Sequence, residues 1–214
     1  MLVIPAINCK DRDSALKQIK KADSFFSASG WVHIDVVDGE FANVVTWGSP
    51  GEVIELTHKY SHINFEIHLM VAHPEVVLKS WLKSGAKRLI FHIESLRDPV
   101  RVAALCKKHG VEAMLACGVR TPAEWLKKYF GIFDSFQFLA VEPGFAGQKF
   151  DVSALKKIKF LRGEQRHVKI EVDGGVEPEV AKLAKDAGAD IAVSASYIFK
   201  SRSPQRAYNE LTRI

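Results

Sequence analysis

The sequence predicts a (β/α)8 TIM barrel, and three observations point to it. Short apolar runs of strand length alternate eight times with longer amphipathic runs, with no linker or low-complexity tract between them. Proline stands near the start of many amphipathic runs, where its missing N–H costs nothing, and Gly30, Gly85, Gly110 and Gly188 read as helix stops ahead of strands. Ionisable residues crowd the C-terminal ends of the apolar runs, the end at which such barrels place their sites. The competing fold is a doubly wound open sheet. Such sheets commonly have about five or six strands, and the G-x-G-x-x-G turn they use to hold dinucleotides is absent after the first strand here.

In chain order, Leu2 to Ile7 reads as the first strand and Ser14 to Phe25 as its helix. Trp31 to Asp35 is followed by Pro50 to Tyr60, Asn64 to Met70 by Pro74 to Lys83, and Lys87 to His92 by Pro99 to Lys108. Glu112 to Cys117 precedes a helix predicted over Pro122 to Phe130. Phe136 to Val141 goes with Val152 to Leu161, Val168 to Val172 with Pro178 to Ala187, and Ile191 to Ser194 with Pro204 to Arg213.

Composition narrows the class. A chain of 214 residues, 47% hydrophobic and 26% charged, is expected to form one domain over residues 1–214, burying roughly 70% of its unfolded surface. The apolar opening Met1 to Ile7 meets Lys10, Asp11, Arg12 and Asp13 at once. It is too short for a secretory or membrane-spanning segment, so a cytoplasmic protein with no membrane partner is expected. Cys9, Cys106 and Cys117 are too scattered for a disulfide framework or a cysteine zinc site and read as reduced thiols. The net charge of +5 is spread over the pairs Lys20–Lys21, Lys107–Lys108, Lys127–Lys128 and Lys156–Lys157 on separate helices. These read as solvated faces, and no nucleic-acid partner is expected.

The run Val32-His33-Ile34-Asp35-Val36-Val37-Asp38-Gly39 begins as a strand on which His33 and Asp35, two residues apart, project to one face. Two ionisable groups in a parallel strand buried on both faces are costly unless something occupies them. They read either as a hydrogen-bonded core pair or as metal ligands. In order, the strand ends supply Asn8, His33 with Asp35, His68, His92 with Glu94, Cys117, Glu142, Asp173, and Ser194 with Ser196. In a barrel, His33, Asp35, His68 and Asp173 converge at the mouth from the second, third and seventh strands. Two imidazoles with two carboxylates suit one divalent zinc, iron(II), manganese or cobalt ion and do not suit calcium, so the barrel favours metal ligation.

Four segments carry a resemblance: Val32 to Gly39; Ile67-His68-Leu69-Met70-Val71; Val141-Glu142-Pro143-Gly144-Phe145-Ala146-Gly147-Gln148-Lys149-Phe150; and Ile170-Glu171-Val172-Asp173-Gly174-Gly175-Val176. In this order they resemble the signature blocks of the ribulose-phosphate 3-epimerase family, and the resemblance runs from Pro5 to Phe199. It implies a barrel of the ribulose-phosphate-binding type. It also implies an isomerase of the pentose phosphate pathway that interconverts D-ribulose 5-phosphate and D-xylulose 5-phosphate by inverting carbon 3. His33, Asp35, His68 and Asp173 would hold the metal, and Asp35 and Asp173 would be the acid and base on opposite faces of a metal-stabilised ene-diolate. Backbone N–H groups at Gly174, Gly175, Ala195 and Ser196 would receive the phosphate. Read without the resemblance, Gly174-Gly175 is equally an ordinary turn. Pro143 to Gln148, with Gly144, Phe145, Ala146 and Gly147, reads either as a mobile flap over the mouth or as a static turn of the same composition.

The sequence departs from the family where the substrate would sit. Ala6 replaces a serine, Val37 a methionine, Ala195 a phosphate-site glycine and Tyr197 a small residue. Val119-Arg120 stands for Pro-Gly, and Ala42-Asn43-Val44 for Val-Pro-Asn. These changes are expected to alter the pocket walls. Arg120 is either a surface charge or an added anion contact, and Ala195 requires a negative φ if the neighbouring amides are to keep a phosphate. Three alternatives stand beside the pentose-phosphate epimerase. One is a 3-epimerase of a ketohexose 6-phosphate such as allulose 6-phosphate, and another is a sugar-phosphate binder without turnover. The third is a related barrel lyase, which would want a lysine in an Asp-x-Lys-x-x-Asp pattern where this chain has Asp35. The partner expected is a phosphorylated ketose, and self-association into a homo-oligomer is left open.

Overall fold

The predicted alternation holds through residues 1–214, all of which the computed structural model describes. The strands are β1 (Leu2–Ile7), β2 (Gly30–Val37), β3 (Ile63–Met70), β4 (Arg88–His92), β5 (Glu112–Cys117), β6 (Ser135–Leu139), β7 (Lys169–Asp173) and β8 (Ile191–Ser194). The helices are α1 (Arg12–Asp23), α2 (Pro50–Lys59), α3 (Pro74–Trp81), α4 (Pro99–Lys108), α5 (Ser153–Glu164), α6 (Pro178–Ala187), α7 (Ser196–Phe199) and α8 (Pro204–Thr212). Every strand pairs in parallel with its sequence neighbours, and β1 closes the ring on β8 through Leu2↔Ile191 to Pro5↔Ser194. The fold is a (β/α)8 TIM barrel.

Local chemistry starts the helices where the sequence places them. Proline opens α2, α3, α4, α6 and α8. Asp11 and Asp98 cap α1 and α4 by accepting the N–H groups of Ser14 at 2.8 Å and Arg101 at 3.0 Å. Gly188 ends α6 in the left-handed region at φ 108. Gly30 is a different case. It is the first residue of β2, and an added Cβ there would lie 2.3 Å from the Phe26 ring, so close packing rather than helix termination explains it.

Two segments depart from expectation in kind. Pro122 to Phe130 forms no α-helix; Ala123–Tyr129 is a 3₁₀ helix, and its buried residues Ala123, Leu126 and Tyr129 recur every third position, the period of that helix. Lys157 is not part of a solvated face. Its ammonium donates to the carbonyls of Gly118, Val119 and Thr121 at 2.6 to 2.8 Å, pinning the turn after β5.

The apolar core lies mostly between barrel and helices, in two clusters each of 26 buried residues. Inside the barrel a smaller cluster of Ile4, Ala6, Ile90, Met114, Ala116, Ile191 and Val193 fills one part of the cross-section. The remainder of the interior is ionic. Buried charge in a barrel interior needs partners, and here those partners lead to the mouth.

Candidate active site

Side-chain alternation along β2 turns His33 and Asp35 into the barrel, and the register Asp35↔His68 places the β3 imidazole beside them. Asp173 arrives from the end of β7. All four are buried: His33 and His68 are 0% exposed, and Asp35 and Asp173 7%. One ligand atom from each lies within 4.8 Å of all the others. Asp35 Oδ1 is 3.1 Å from both His33 Nε2 and His68 Nδ1, while Asp173 Oδ2 is 3.8 Å from His33 Nε2 and 3.3 Å from His68 Nδ1.

A four-coordinate ion with bonds of about 2.1 Å sets donor–donor edges of about 3.4 Å, and an octahedral one adjacent edges of about 3.0 Å. The separations between imidazole and carboxylate atoms fall around these values, so the four residues could hold a divalent ion. Without one, the rings take protons instead. Burial disfavours charge on His33, but the hydrogen bond and charge of Asp35, with Glu66 and Asp173, outweigh it and raise its pKa well above the ordinary value. His68 is likewise raised against burial by Asp173 and Asp35. Burial also works to raise the pKa of Asp35, and the two imidazoles overcome it and hold the carboxylate well below its usual range.

Both rings are oriented from behind. His33 Nδ1 donates to Glu66 Oε1 at 2.7 Å, which leaves Nε2 facing the carboxylates. His68 Nε2 lies 2.9 Å from His92 Nε2, and His92 Nδ1 lies 3.0 Å from Glu94 Oε2. Burial lowers the His92 pKa, so His92 is neutral; with Nδ1–H donated to Glu94, its Nε2 accepts from His68. Glu94 is itself fixed by the Gly118 N–H at 2.8 Å and by the Thr121 hydroxyl. Burial alone would raise its pKa, yet His92 and these donors bring it down to about 2. The Thr46 hydroxyl donates to the Asp35 carbonyl at 2.7 Å and accepts the Val37 N–H at 2.9 Å, stitching the end of β2.

Below the four residues lies an ionic layer that the motif analysis missed. Arg88, 2% exposed, donates to Glu66 Oε2 at 2.5 Å and to Glu171 Oε2 at 3.4 Å, and it lies 4.5 Å over the Trp31 ring. Gln137 Nε2 donates to Glu171 Oε1 at 2.9 Å. Burial, with the nearby charge of Glu66, pushes the Glu171 pKa up to about 8, so at neutral pH Glu171 holds a proton. Glu66 and Glu171 precede His68 and Asp173 by two residues on the same strand faces, so the alternation that selects His33 and Asp35 would also have found them.

The two glutamates therefore differ in what their removal does. Glu66→Gln removes the charge behind the His33 ring and one of the three carboxylates around Arg88, and it is expected to weaken divalent-metal affinity about 10–100-fold by titration against a competing chelator. Glu171→Gln replaces a group that is already neutral and should hold metal affinity near the wild-type value. Its sign in stability is also defined. The folded pKa lies above the unfolded one, so between about pH 4.5 and 8 unfolding releases a proton and stability falls as pH rises, by up to about 1.4 kcal/mol per pH unit. Glu171→Gln should lack that part of the slope in thermal melts.

Among the other strand-end residues, Cys117 faces outward into the helix layer, because Ala116 takes the inward position, and burial pushes its thiol to about 12. Glu142 is exposed and pairs with Arg120 at 3.0 Å, so Arg120 is a surface charge and lines no cavity with the aspartates. Ser194 donates to the Val176 carbonyl at 2.8 Å. Tyr197 turns its hydroxyl to Glu210 at 2.8 Å, tying α7 to α8, and Ala6 lies in the apolar barrel interior. Thus Arg120 does not form the pocket wall that the sequence suggested.

One cavity collects Asp35 and Asp173 with Asn8, Gly144, Phe145, Ala146, Gly147, Gly174, Gly175, Ala195 and Ser196. Gly174 and Gly175 take φ of 99 and 68, and a Cβ on Gly175 would lie 2.5 Å from the Phe150 N, so this turn requires glycine. Ala195 has φ −104, the negative value its side chain needs. No lysine or arginine lines this cavity. Val37, Met70 and Leu139 pack together as an apolar patch with Ala42, Val44 and Val141 around them, and Met70 and Leu139 reach the cavity.

Comparison with known proteins agrees with this architecture. The sequence model of the Ribulose-phosphate 3 epimerase family matches residues 2–199. The ribulose-phosphate 3-epimerase of Chlamydia pneumoniae is 36% identical over 209 residues, covering 95% of this chain and 90% of that protein. That of Bacillus subtilis (strain 168) is 31% identical over 214 residues, covering 98% and 97%. Among solved structures, a 3-hexulose-6-phosphate synthase superposes with a TM-score of 0.77 at 15% identity, over 100% of this chain and 99% of that one. A 3-keto-L-gulonate-6-phosphate decarboxylase from Vibrio cholerae gives 0.73 at 11% identity, over 100% and 95%. At such identity these structures share the fold alone. The family match along almost the whole sequence goes further: this chain belongs to the ribulose-phosphate 3-epimerase family and is an enzyme of the isomerase class.

Proposed function

We propose that the protein inverts carbon 3 of D-ribulose 5-phosphate to give D-xylulose 5-phosphate, with Asp35 and Asp173 as the two proton carriers. The observation that carries this reading is that two carboxylates, from β2 and β7, line one cavity with the Gly174–Gly175 turn while two buried imidazoles stand against them from behind. Inversion beside a carbonyl removes the carbon-bound proton on one face and returns a proton on the other. One aspartate takes the proton from carbon 3 and the C–H electron pair moves toward the carbonyl, giving an ene-diolate. The second aspartic acid then protonates the opposite face. Asp35, held ionised, is ready to accept. His33, Asp35, His68 and Asp173 would hold a divalent ion, which would supply positive charge against the negative charge that develops as the proton leaves.

The surroundings support the same chemistry. The apolar patch of Val37, Met70 and Leu139 keeps water from the reacting carbon. Because no cationic side chain lines the cavity, the phosphate is received by backbone N–H groups at Gly174, Gly175, Ala195 and Ser196. The same absence removes the lysine that a barrel lyase would use. The cavity volume is about 40 Å³, room for a few waters and too small for a ketose phosphate. The flap Pro143 to Gln148 must therefore move to admit substrate.

The test is solvent-deuterium incorporation at carbon 3 across a panel of ketose phosphates, with the metal-replete protein. Ribulose 5-phosphate should give labelled xylulose 5-phosphate fastest, and unphosphorylated ribulose should lose most of kcat/KM because it lacks remote binding energy. Faster turnover of a ketohexose 6-phosphate would move the assignment to that substrate, and equal rates with ribulose would remove the phosphate site.

A further inference from the structure

The β1–α1 turn touches both the aspartate and the flap through one side chain. Asn8 Nδ2 lies 2.8 Å from Asp35 Oδ2 and 3.3 Å from the Gly144 carbonyl oxygen. Both partners are acceptors only, an ionised carboxylate and a backbone carbonyl, so the amide orientation is fixed by chemistry: the NH2 group faces them, one N–H to each. Asp35 Oδ1 is already committed to His33 and His68. Oδ2 is the oxygen free of the imidazoles, and Asn8 is its hydrogen-bond donor. The flap has a second anchor on the same turn, where the Lys10 ammonium lies 5.7 Å over the Phe145 ring. Within the flap, Gln148 Nε2 donates to the Glu142 and Phe145 carbonyls at 2.7 and 2.9 Å, so the flap is braced to move as one piece. Gly144 has φ 118 and an added Cβ would lie 2.6 Å from Val44, so its carbonyl is aimed by backbone geometry that only glycine supplies readily.

We propose that Asn8 is a positioning residue that joins flap closure to alignment of Asp35: one N–H fixes the Oδ2 lone pairs and the other latches the flap carbonyl. The inference rests on the epimerase reading for its kinetic half and on geometry alone for its latch. When the flap lifts, Asn8 loses one acceptor and its amide is free to turn. When the flap closes over the sugar, the same amide is held and Asp35 is set in the orientation that proton abstraction needs. Alignment is thereby delayed until water has been excluded.

Two variants separate donation from packing. Asn8→Ala removes both donors together with the side chain, and Asn8→Leu keeps an approximate volume without polarity. Both should lower kcat about 10–100-fold, the scale of a misaligned reacting group, with KM changed far less and metal content unchanged. Amide hydrogen exchange over residues 143–148 of the substrate-free protein should accelerate about 2- to 10-fold in both, the loss of one hydrogen bond expressed as population. A kcat within twofold of wild type in both variants would overturn the positioning role, and unchanged flap exchange would overturn the latch. If the wild-type chain turned over no ketose phosphate while the variants still loosened the flap, the epimerase reading would fail and the latch would stand.

Discussion

Replacing either aspartate by asparagine is expected to lower the rate of ribulose 5-phosphate epimerisation by about 10²–10⁴-fold, the scale of a lost general acid or base. The substitution is nearly isosteric, so folding should change little, but it also takes a charged carboxylate out of the proposed metal set, so rates are compared at saturating metal with the bound metal measured. The effect follows from what surrounds each carboxylate. Asp35 is held ionised by His33 and His68 and is supplied with a hydrogen bond by Asn8, so in the proposed mechanism it would accept a proton without a further change of state. Asp173 enters from β7 into the same cavity and reaches the same imidazoles. With one carrier gone, the proton can leave one face and return only to that face. Steady-state kinetics with both epimers as substrate check this, and an asparagine variant at full rate would remove that residue from the chemistry.

The second large effect is on the metal. His68→Ala deletes a ring that faces both carboxylates, and it should reduce metal affinity and turnover together by more than about 100-fold, beyond the loss typical of a group that only supports a ligand. The pH dependence carries its own sign. In the metal-free chain His33 and His68 have raised pKa values, so their contribution to stability is fully present below about pH 6.5 and is lost as pH rises through the folded values. Metal binding needs the neutral rings, so affinity should do the opposite and strengthen with pH, about tenfold per pH unit for each proton released. Chelator competition at pH 6, 7 and 8 measures it. Equal affinity at the three values would show that the ion displaces no protons from the imidazoles.

How much of this was legible before folding depends on the range of each interaction. His33 with Asp35, and the helix starts at Pro50, Pro99 and Pro178, are set by neighbours in sequence and could be read there. His68 and Asp173 needed only the barrel to be brought to the same mouth. Arg88 and Gln137 are different: nothing local marks a lone arginine in β4 or a glutamine in β6 as interior until closure turns both toward Glu171. Asn8 was visible as a polar residue at a strand end, yet its flap partner Gly144 is 136 positions away. Cys117 closes β5 level with the mouth residues, yet its alternation with Ala116 turns it among the helices. Tyr197 and Arg120 differ from the family's residues without entering the cavity, and their hydroxyl and guanidinium are taken up by Glu210 and Glu142.

The central claim is that Asp35 and Asp173 serve opposite faces of one carbon. The most direct measurement is hydrogen exchange at carbon 3 in deuterium oxide, with Asp35→Asn and Asp173→Asn each incubated separately with ribulose 5-phosphate and xylulose 5-phosphate and the recovered sugars read by NMR. Each variant keeps one proton carrier, so each should wash deuterium into only one of the two epimers without inverting it, and the two variants should choose different epimers. Exchange of the same epimer by both variants, or continued inversion by either at the wild-type rate, would contradict the two-faced arrangement.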